Sequence, residues 1–177
     1  MKATRLNKFT VAGLGVLLLL GIASAYAATS VISGVGTIAH YAPFDGPATM
    51  TARSLFIGAN EALPWHQHPG IGAYTIVKTG TLTVEDGCGG EVVYPEGSAF
   101  IEPAGRVHRG IAGDVPVETV QTFLVPAGSG FSVNVPKGCG APLVVDECKG
   151  SGWETFTYPR TFSDQGDCIT FVLRGDG

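Results

Sequence analysis

Residues 28–177 carry almost no helical periodicity. Their apolar runs are short and β-branched, and glycine and proline break them at close intervals; the chain has 26 Gly and 11 Pro in 177 residues. Such a pattern excludes a bundle and favours many short strands joined by tight turns. Strands are expected at Val31–Ile38, Met50–Ile57, Tyr74–Val77, Thr81–Glu85, Glu91–Tyr94, Ala99–Ile101, Val117–Val125, Leu143–Val145 and Ile169–Leu173. The run Asp86-Gly87-Cys88-Gly89-Gly90 reads as a hairpin turn. The expected fold is all-β, a sandwich or closed barrel.

The first 27 residues read as a secretory signal peptide. Lys2, Arg5 and Lys8 precede an apolar run from Phe9 to Ala23, and Ala25-Tyr26-Ala27 fits a small-x-small cleavage site. An uncleaved anchor is the alternative, but the run is short for a span of about 20 residues. Without those three cations the formal charge moves from −4 to −7. No basic patch remains, so nucleic acid is not expected as a partner, and no stable membrane insertion is expected after cleavage. Localisation is expected to be secreted or periplasmic.

Residues 28–177 are expected to form one domain, with residues 126–177 a loop-rich C-terminal elaboration too sparse to build its own core. All four cysteines, Cys88, Cys139, Cys148 and Cys168, lie in this part. An even count in an exported chain points to two disulfides. Four cysteines allow three pairings; a short Cys139–Cys148 loop is favoured, leaving Cys88 with Cys168. A cysteine metal site is the alternative, though no C-x-x-C occurs.

The chemistry concentrates in histidines. His66 and His68 form an H-x-H pair, which on a strand puts both imidazoles on one face. His108 follows the turn Pro103-Ala104-Gly105 at the start of another strand, from which it can return to meet the pair. His40 lies outside this frame and is not expected to be a ligand.

Residues 66–80 and 97–108 resemble the two cupin motifs. His66, His68 and Gly80 match the first; Gly97, Pro103, Gly105 and His108 match the second at every spacing. The resemblance covers about residues 45–125. It implies a small antiparallel jelly-roll barrel with a metal inside, where alternate side chains point inward. The pattern departs at three places. The motif's Glu falls on Ala73, its closing Asn on Ala112 and its leading Gly on Asn60. The expected ligand set is therefore His66, His68 and His108 around one divalent transition metal: Cu, Mn, Fe or Zn. Glu61 and Glu102 are the nearest carboxylates in sequence, and Glu102, preceding Pro103, is expected to face outward.

Other candidates surround that set. Arg106 and Arg109 offer forks for an anionic substrate, or else sit solvated at strand ends. Trp65 and Tyr74 line the mouth or pack in the barrel wall. Gln121 shares a face with Thr119 and Phe123, and if that face is inward its amide reaches a metal-bound water. The leading expectation is a metal-dependent oxidoreductase acting on a small-molecule or carbohydrate substrate, with a homodimer possible by analogy. A non-enzymatic metal- or ligand-binding protein and a metal-assisted isomerase or hydrolase are the alternatives. Gly34-Val35-Gly36-Thr37-Ile38-Ala39 spells G-x-G-x-x-A, but no helix pattern follows, so a dinucleotide site is excluded.

Overall fold

Period-two alternation builds the strands. In β9 (Val117–Pro126), Val117, Thr119, Gln121, Phe123 and Val125 are buried, while Glu118, Val120 and Thr122 are half-buried on the other face. In β4 (Ala73–Thr79), Ala73, Thr75 and Val77 are buried and Tyr74 and Ile76 exposed. The computed structural model describes residues 28–175. The signal peptide expected over residues 1–27 lies outside the described residues.

Two five-stranded antiparallel sheets result. The first has the order β1 (Thr29–Tyr41), β2 (Gly46–Ile57), β9, β4, β7 (Ala99–Glu102). The second runs β10 (Val133–Asn134), β3 (His66–Gln67), β8 (His108–Ala112), β5 (Thr81–Asp86), β6 (Glu91–Pro95). This is the expected jelly-roll class. Between the sheets, Leu55, Ile57, Val77, Leu82, Ala112 and Val117 form a buried cluster, each larger aliphatic contributing about 1.5–3 kcal/mol by burial. The expected hairpin joins β5 to β6, and the Asp86 carboxylate accepts from the Cys88 N–H at 2.7 Å.

The C-terminal part corrects three expectations. Leu143–Val145 is not a strand; a 3-10 turn covers Val145–Cys148. Ile169–Leu173 lies inside a helix, α1 (Gln165–Arg174). Its β-branched residues suggested a strand, but the capping chemistry decides. Asp164 accepts from the Asp167 N–H at 2.8 Å, and Gly175 ends the helix at φ 67°. The extension also has an apolar cluster of its own, around Phe156, Phe162 and Phe171.

All four cysteines are paired, but as Cys88–Cys139 and Cys148–Cys168. The segment holding Cys139 docks on the β5–β6 hairpin: the Val107 N–H donates to the Cys139 carbonyl and the Gly87 N–H to the Val107 carbonyl. That places Cys139 beside Cys88 rather than Cys148. Cys148 and Cys168 instead lie at the centre of the C-terminal cluster. Two disulfides fit an oxidising compartment. No helix among the described residues is long and apolar enough to cross a membrane.

Candidate metal centre

The second sheet delivers the imidazoles. His66 on β3 is the register partner of His108 on β8. His68 follows two residues later on the same face and bridges to Ala104. Gly105 makes this turn feasible: it sits at φ 67°, its N–H donates to the His68 carbonyl at 2.9 Å, and the Tyr158 ring fills the space a Cβ would need. The three rings lie with centroids 4.5–5.1 Å apart, all buried.

Each ring is fixed by its other nitrogen. Nδ1 of His66 meets the Pro64 carbonyl at 2.8 Å, that of His68 the Phe131 carbonyl at 2.8 Å, and that of His108 the Arg106 carbonyl at 2.9 Å. A carbonyl only accepts, so each Nδ1 carries the hydrogen. Nε2 is left to face the centre, the arrangement that presents a neutral imidazole to a metal.

The first sheet delivers a carboxylate that the sequence reading turned the wrong way. Glu102 is buried and points inward, because its partner across the ladder is Ala73, on the buried face of β4. The acid absent from position 73 is thus present directly opposite it. Oε2 meets Nε2 of His68 at 2.7 Å and Nε2 of His108 at 3.1 Å. Oε1 accepts from the Thr75 hydroxyl at 2.7 Å and the Gln121 amide at 3.1 Å. Gly72, at φ 84°, lets the chain entering β4 approach the Glu102 carbonyl where a Cβ would collide. The expected three-His set becomes His66, His68, His108 and Glu102, whose ligand atoms lie within 4.8 Å of one another. Three imidazole nitrogens and one carboxylate oxygen can hold a divalent transition metal.

Electrostatics agree with that donor set. Burial pushes the Glu102 carboxyl up, but hydrogen bonds and charge from His108 and His68 outweigh it and hold it well below the usual range. Burial lowers His108, yet the Glu102 hydrogen bond and charge prevail and raise it. His66, desolvated and beside two other imidazoles, is lowered to about 4.

Gln121 does face inward, as the shared face with Thr119 and Phe123 suggested. Its carbonyl accepts from Arg53 Nε at 2.9 Å, and the Arg53 guanidinium lies 5.0 Å from the Phe123 and Phe131 ring centres. Burial lowers the Arg53 pKa. The other candidates lie elsewhere. Tyr74 is exposed on the outer face of β4, since it alternates with buried Thr75. Arg106 is buried, but its fork is occupied by Asp86, Glu147 and the Ala141 carbonyl. Arg109 pairs with Glu85 and lies 4.8 Å over Trp65, so that ring packs under a cation rather than in the site. Glu61 accepts from the Gly58 N–H in a turn, and His40 is exposed on β1. Sequence reasoning missed Glu102, Thr75 and Arg53. Placing Glu102 on the same face as the half-buried Phe100 was the signal that could have found the acid.

Two cavities meet at the cluster. The outer, of about 240 Å³, is lined by residues of β5, β6 and β7 and reaches Glu102 and His108. The inner, of about 10 Å³, is lined by His66, His108, Glu102, Gln121 and Thr119 among others. The buried Thr119 hydroxyl has no hydrogen-bond partner among the described residues.

Residues 56–125 match the model of the Cupin domain family. The chain carries a cupin-like domain over this segment. Among solved structures it resembles a conserved protein with a double-stranded beta-helix domain from Klebsiella pneumoniae, at 16% identity and a TM-score of 0.50, covering 64% of this chain and 89% of that one. A DMSP lyase from Ruegeria pomeroyi DSS-3 matches at 17% identity and a TM-score of 0.44, over 50% of this chain and 44% of the lyase. An oxalate oxidase in complex with glycolate matches at 17% identity and a TM-score of 0.46, over 64% and 58%. This chain spans less than half the length of the lyase. A search of curated proteins found no match to it. At 16% identity, the Klebsiella structure speaks to the shared fold alone.

Proposed function

We propose that this protein is an exported, metal-dependent oxidoreductase that converts a small organic molecule at the His66–His68–His108–Glu102 cluster. The supporting observation is the commitment of every ligand. All three Nδ1 atoms are held by backbone carbonyls, and the carboxylate oxygen turned away from the rings is held by Thr75 and Gln121. A site held this firmly keeps its geometry without help from substrate.

A divalent transition metal bound there would supply Lewis acidity and one-electron exchange. The protein residues do the rest. Glu102 adds one negative charge that a three-His set lacks, so the loaded centre carries a lower net charge. Thr75 and Gln121 fix the carboxylate, and Arg53 orients Gln121 from the far side. The outer cavity gives access to a small molecule, and the buried Glu102, Arg106 and His108 form its inner end. The two disulfides and the basic, apolar leader pattern support export.

Elemental analysis of protein isolated from its native compartment, together with oxygen uptake on candidate substrates, tests this reading. One metal per chain is expected, absent from His66→Ala and His108→Ala. Protein that carries no metal, or variants that retain it, would overturn the metal site. A metal-loaded protein that turns over substrates without oxygen consumption would instead favour isomerase or hydrolase chemistry.

A further inference from the structure

The two sheets are not joined along one side. β6 ends the second sheet and β7 ends the first, and no ladder connects them among the described residues. The outer cavity of about 240 Å³ lies along this seam. Glu102 and His108 line it, so a ligand seated there touches the metal centre from the side of the barrel.

Its chemistry is specific. Val84, Val92, Tyr94, Phe100 and Leu143 give it apolar walls, and the Tyr94 and Phe100 rings stack at 3.7 Å. The volume falls below the roughly 300–1,000 Å³ of pockets for drug-sized ligands, so the fit is to a molecule of single-ring size. The ionisable side chains of opposite sign lining it are the acids Asp86, Glu91 and Glu102, the cation Arg106, and His108, which Glu102 holds at 3.1 Å. Arg106 is not free: Asp86 and Glu147 both hold its fork, at 2.7 and 2.9 Å. An incoming carboxylate would find no unpaired cation among these residues and would face Asp86 and Glu91. The Tyr94 phenol, whose ionisation burial and the Glu102 charge both oppose, offers a neutral donor.

We propose that the β6–β7 seam is the substrate pocket and that it selects small, uncharged, ring-sized organic molecules over organic anions. The proposal rests on the metal-centre reading for its catalytic meaning, but the pocket's selectivity is measurable without it. Benzyl alcohol and benzoate share a ring and differ in charge. Their binding is to be measured by NMR titration on Zn²⁺-loaded protein and on metal-free His66→Ala. Benzyl alcohol is expected to bind both, shifting the Val84, Val92 and Leu143 methyls, with benzoate at least tenfold weaker on the metal-free form. Val92→Trp and Leu143→Trp replace exposed side chains, so the fold stays intact, and each should weaken benzyl alcohol at least tenfold while Zn²⁺ uptake is unchanged. Glu91→Lys should strengthen benzoate several-fold and leave benzyl alcohol alone.

Benzoate binding metal-free protein as well as benzyl alcohol, or tryptophan variants that bind like the parent, would overturn the proposal. If the protein takes up no metal yet benzyl alcohol still binds in the seam, the metal reading fails and the pocket stands. If metal is held and the seam binds neither probe, the pocket fails and the metal reading stands.

Discussion

Moving the acid between two strands is the sharpest test of the site. Ala73 and Glu102 are register partners on β4 and β7, and opposed Cβ atoms in an antiparallel pair lie only about 4.5–5.5 Å apart. Glu102→Ala removes the one anionic ligand. Unit charges about 4 Å apart at an effective dielectric near 20 interact by about 4 kcal/mol, so a divalent ion gains about 8 kcal/mol. Desolvation of a buried carboxylate returns several kcal/mol of that. A net loss of about 3 kcal/mol, or roughly a hundredfold in Kd, is expected. Competition for Zn²⁺ against a chromophoric chelator measures it. The double variant Ala73→Glu/Glu102→Ala puts the carboxylate back at the family's motif position and should recover at least tenfold of the loss. Ala73→Glu alone should destabilise the fold, because it buries a second acid against the first. If Glu102→Ala binds Zn²⁺ within about threefold of the parent, Glu102 is not a ligand and the reasoning fails.

Other outcomes follow from the same contacts. Arg106→Met should lower unfolding stability by about 2–3 kcal/mol in urea, less than the ~3–5 kcal/mol of a fully buried pair, because Asp86 and Glu147 keep 28% and 27% of their side-chain surface in water; a loss under about 0.5 kcal/mol would show that the fork is not a strut. Thr119→Val should stabilise by about 1 kcal/mol, since it removes a buried hydroxyl that has no partner among the described residues; destabilisation in the same assay would mean that the hydroxyl serves a water in the inner cavity. Metal affinity should fall on acidification. His108 is raised by Glu102 despite its burial, so a proton competes for it already above the ordinary imidazole midpoint, and metal binding must release that proton. Calorimetry in buffers of different ionisation enthalpy reads the release; affinity that is flat between about pH 5.5 and 8 would contradict it.

Much of the barrel was legible because β alternation is a local signal. β2, β4, β5, β6, β7 and β9 all fall where short β-branched runs sit between turn residues. The three histidines were legible because their spacing carries the geometry: two on one strand face, and one delivered by the Gly105 turn. The fourth group was not, since no local pattern reports which strand will lie across from Ala73. A proline at 103 argued for an outward glutamate, but the inward parity of β7 is imposed by pairing with β4, which is a tertiary fact. The disulfides failed for a related reason. The favoured short loop rested on sequence distance, whereas Cys139 is carried to the hairpin by backbone bonds to the Val107 segment. In α1 the capping residues Asp164 and Gly175 were readable, and β-branched content was given too much weight against them.

The extension after β9 belongs to the site's construction. The Phe131 carbonyl sets the His68 ring, and the Phe131 ring stacks on Phe123 at 4.6 Å beside Arg53. Glu147 closes the Arg106 fork, whose own carbonyl orients His108. Tyr158 packs on Gly105, and Ala141 bonds the Gly105 carbonyl. Thus each motif turn that aims an imidazole is clamped from outside by a residue of the extension, and Cys88–Cys139 ties that clamp to the hairpin at one rim of the seam. Two sheets that no ladder joins edge to edge among the described residues cannot rely on ladder bonds alone to hold the cluster. Here the missing rigidity comes from the loop-rich segment, which explains why a region so poor in strand pattern carries an apolar cluster and three of the four cysteines.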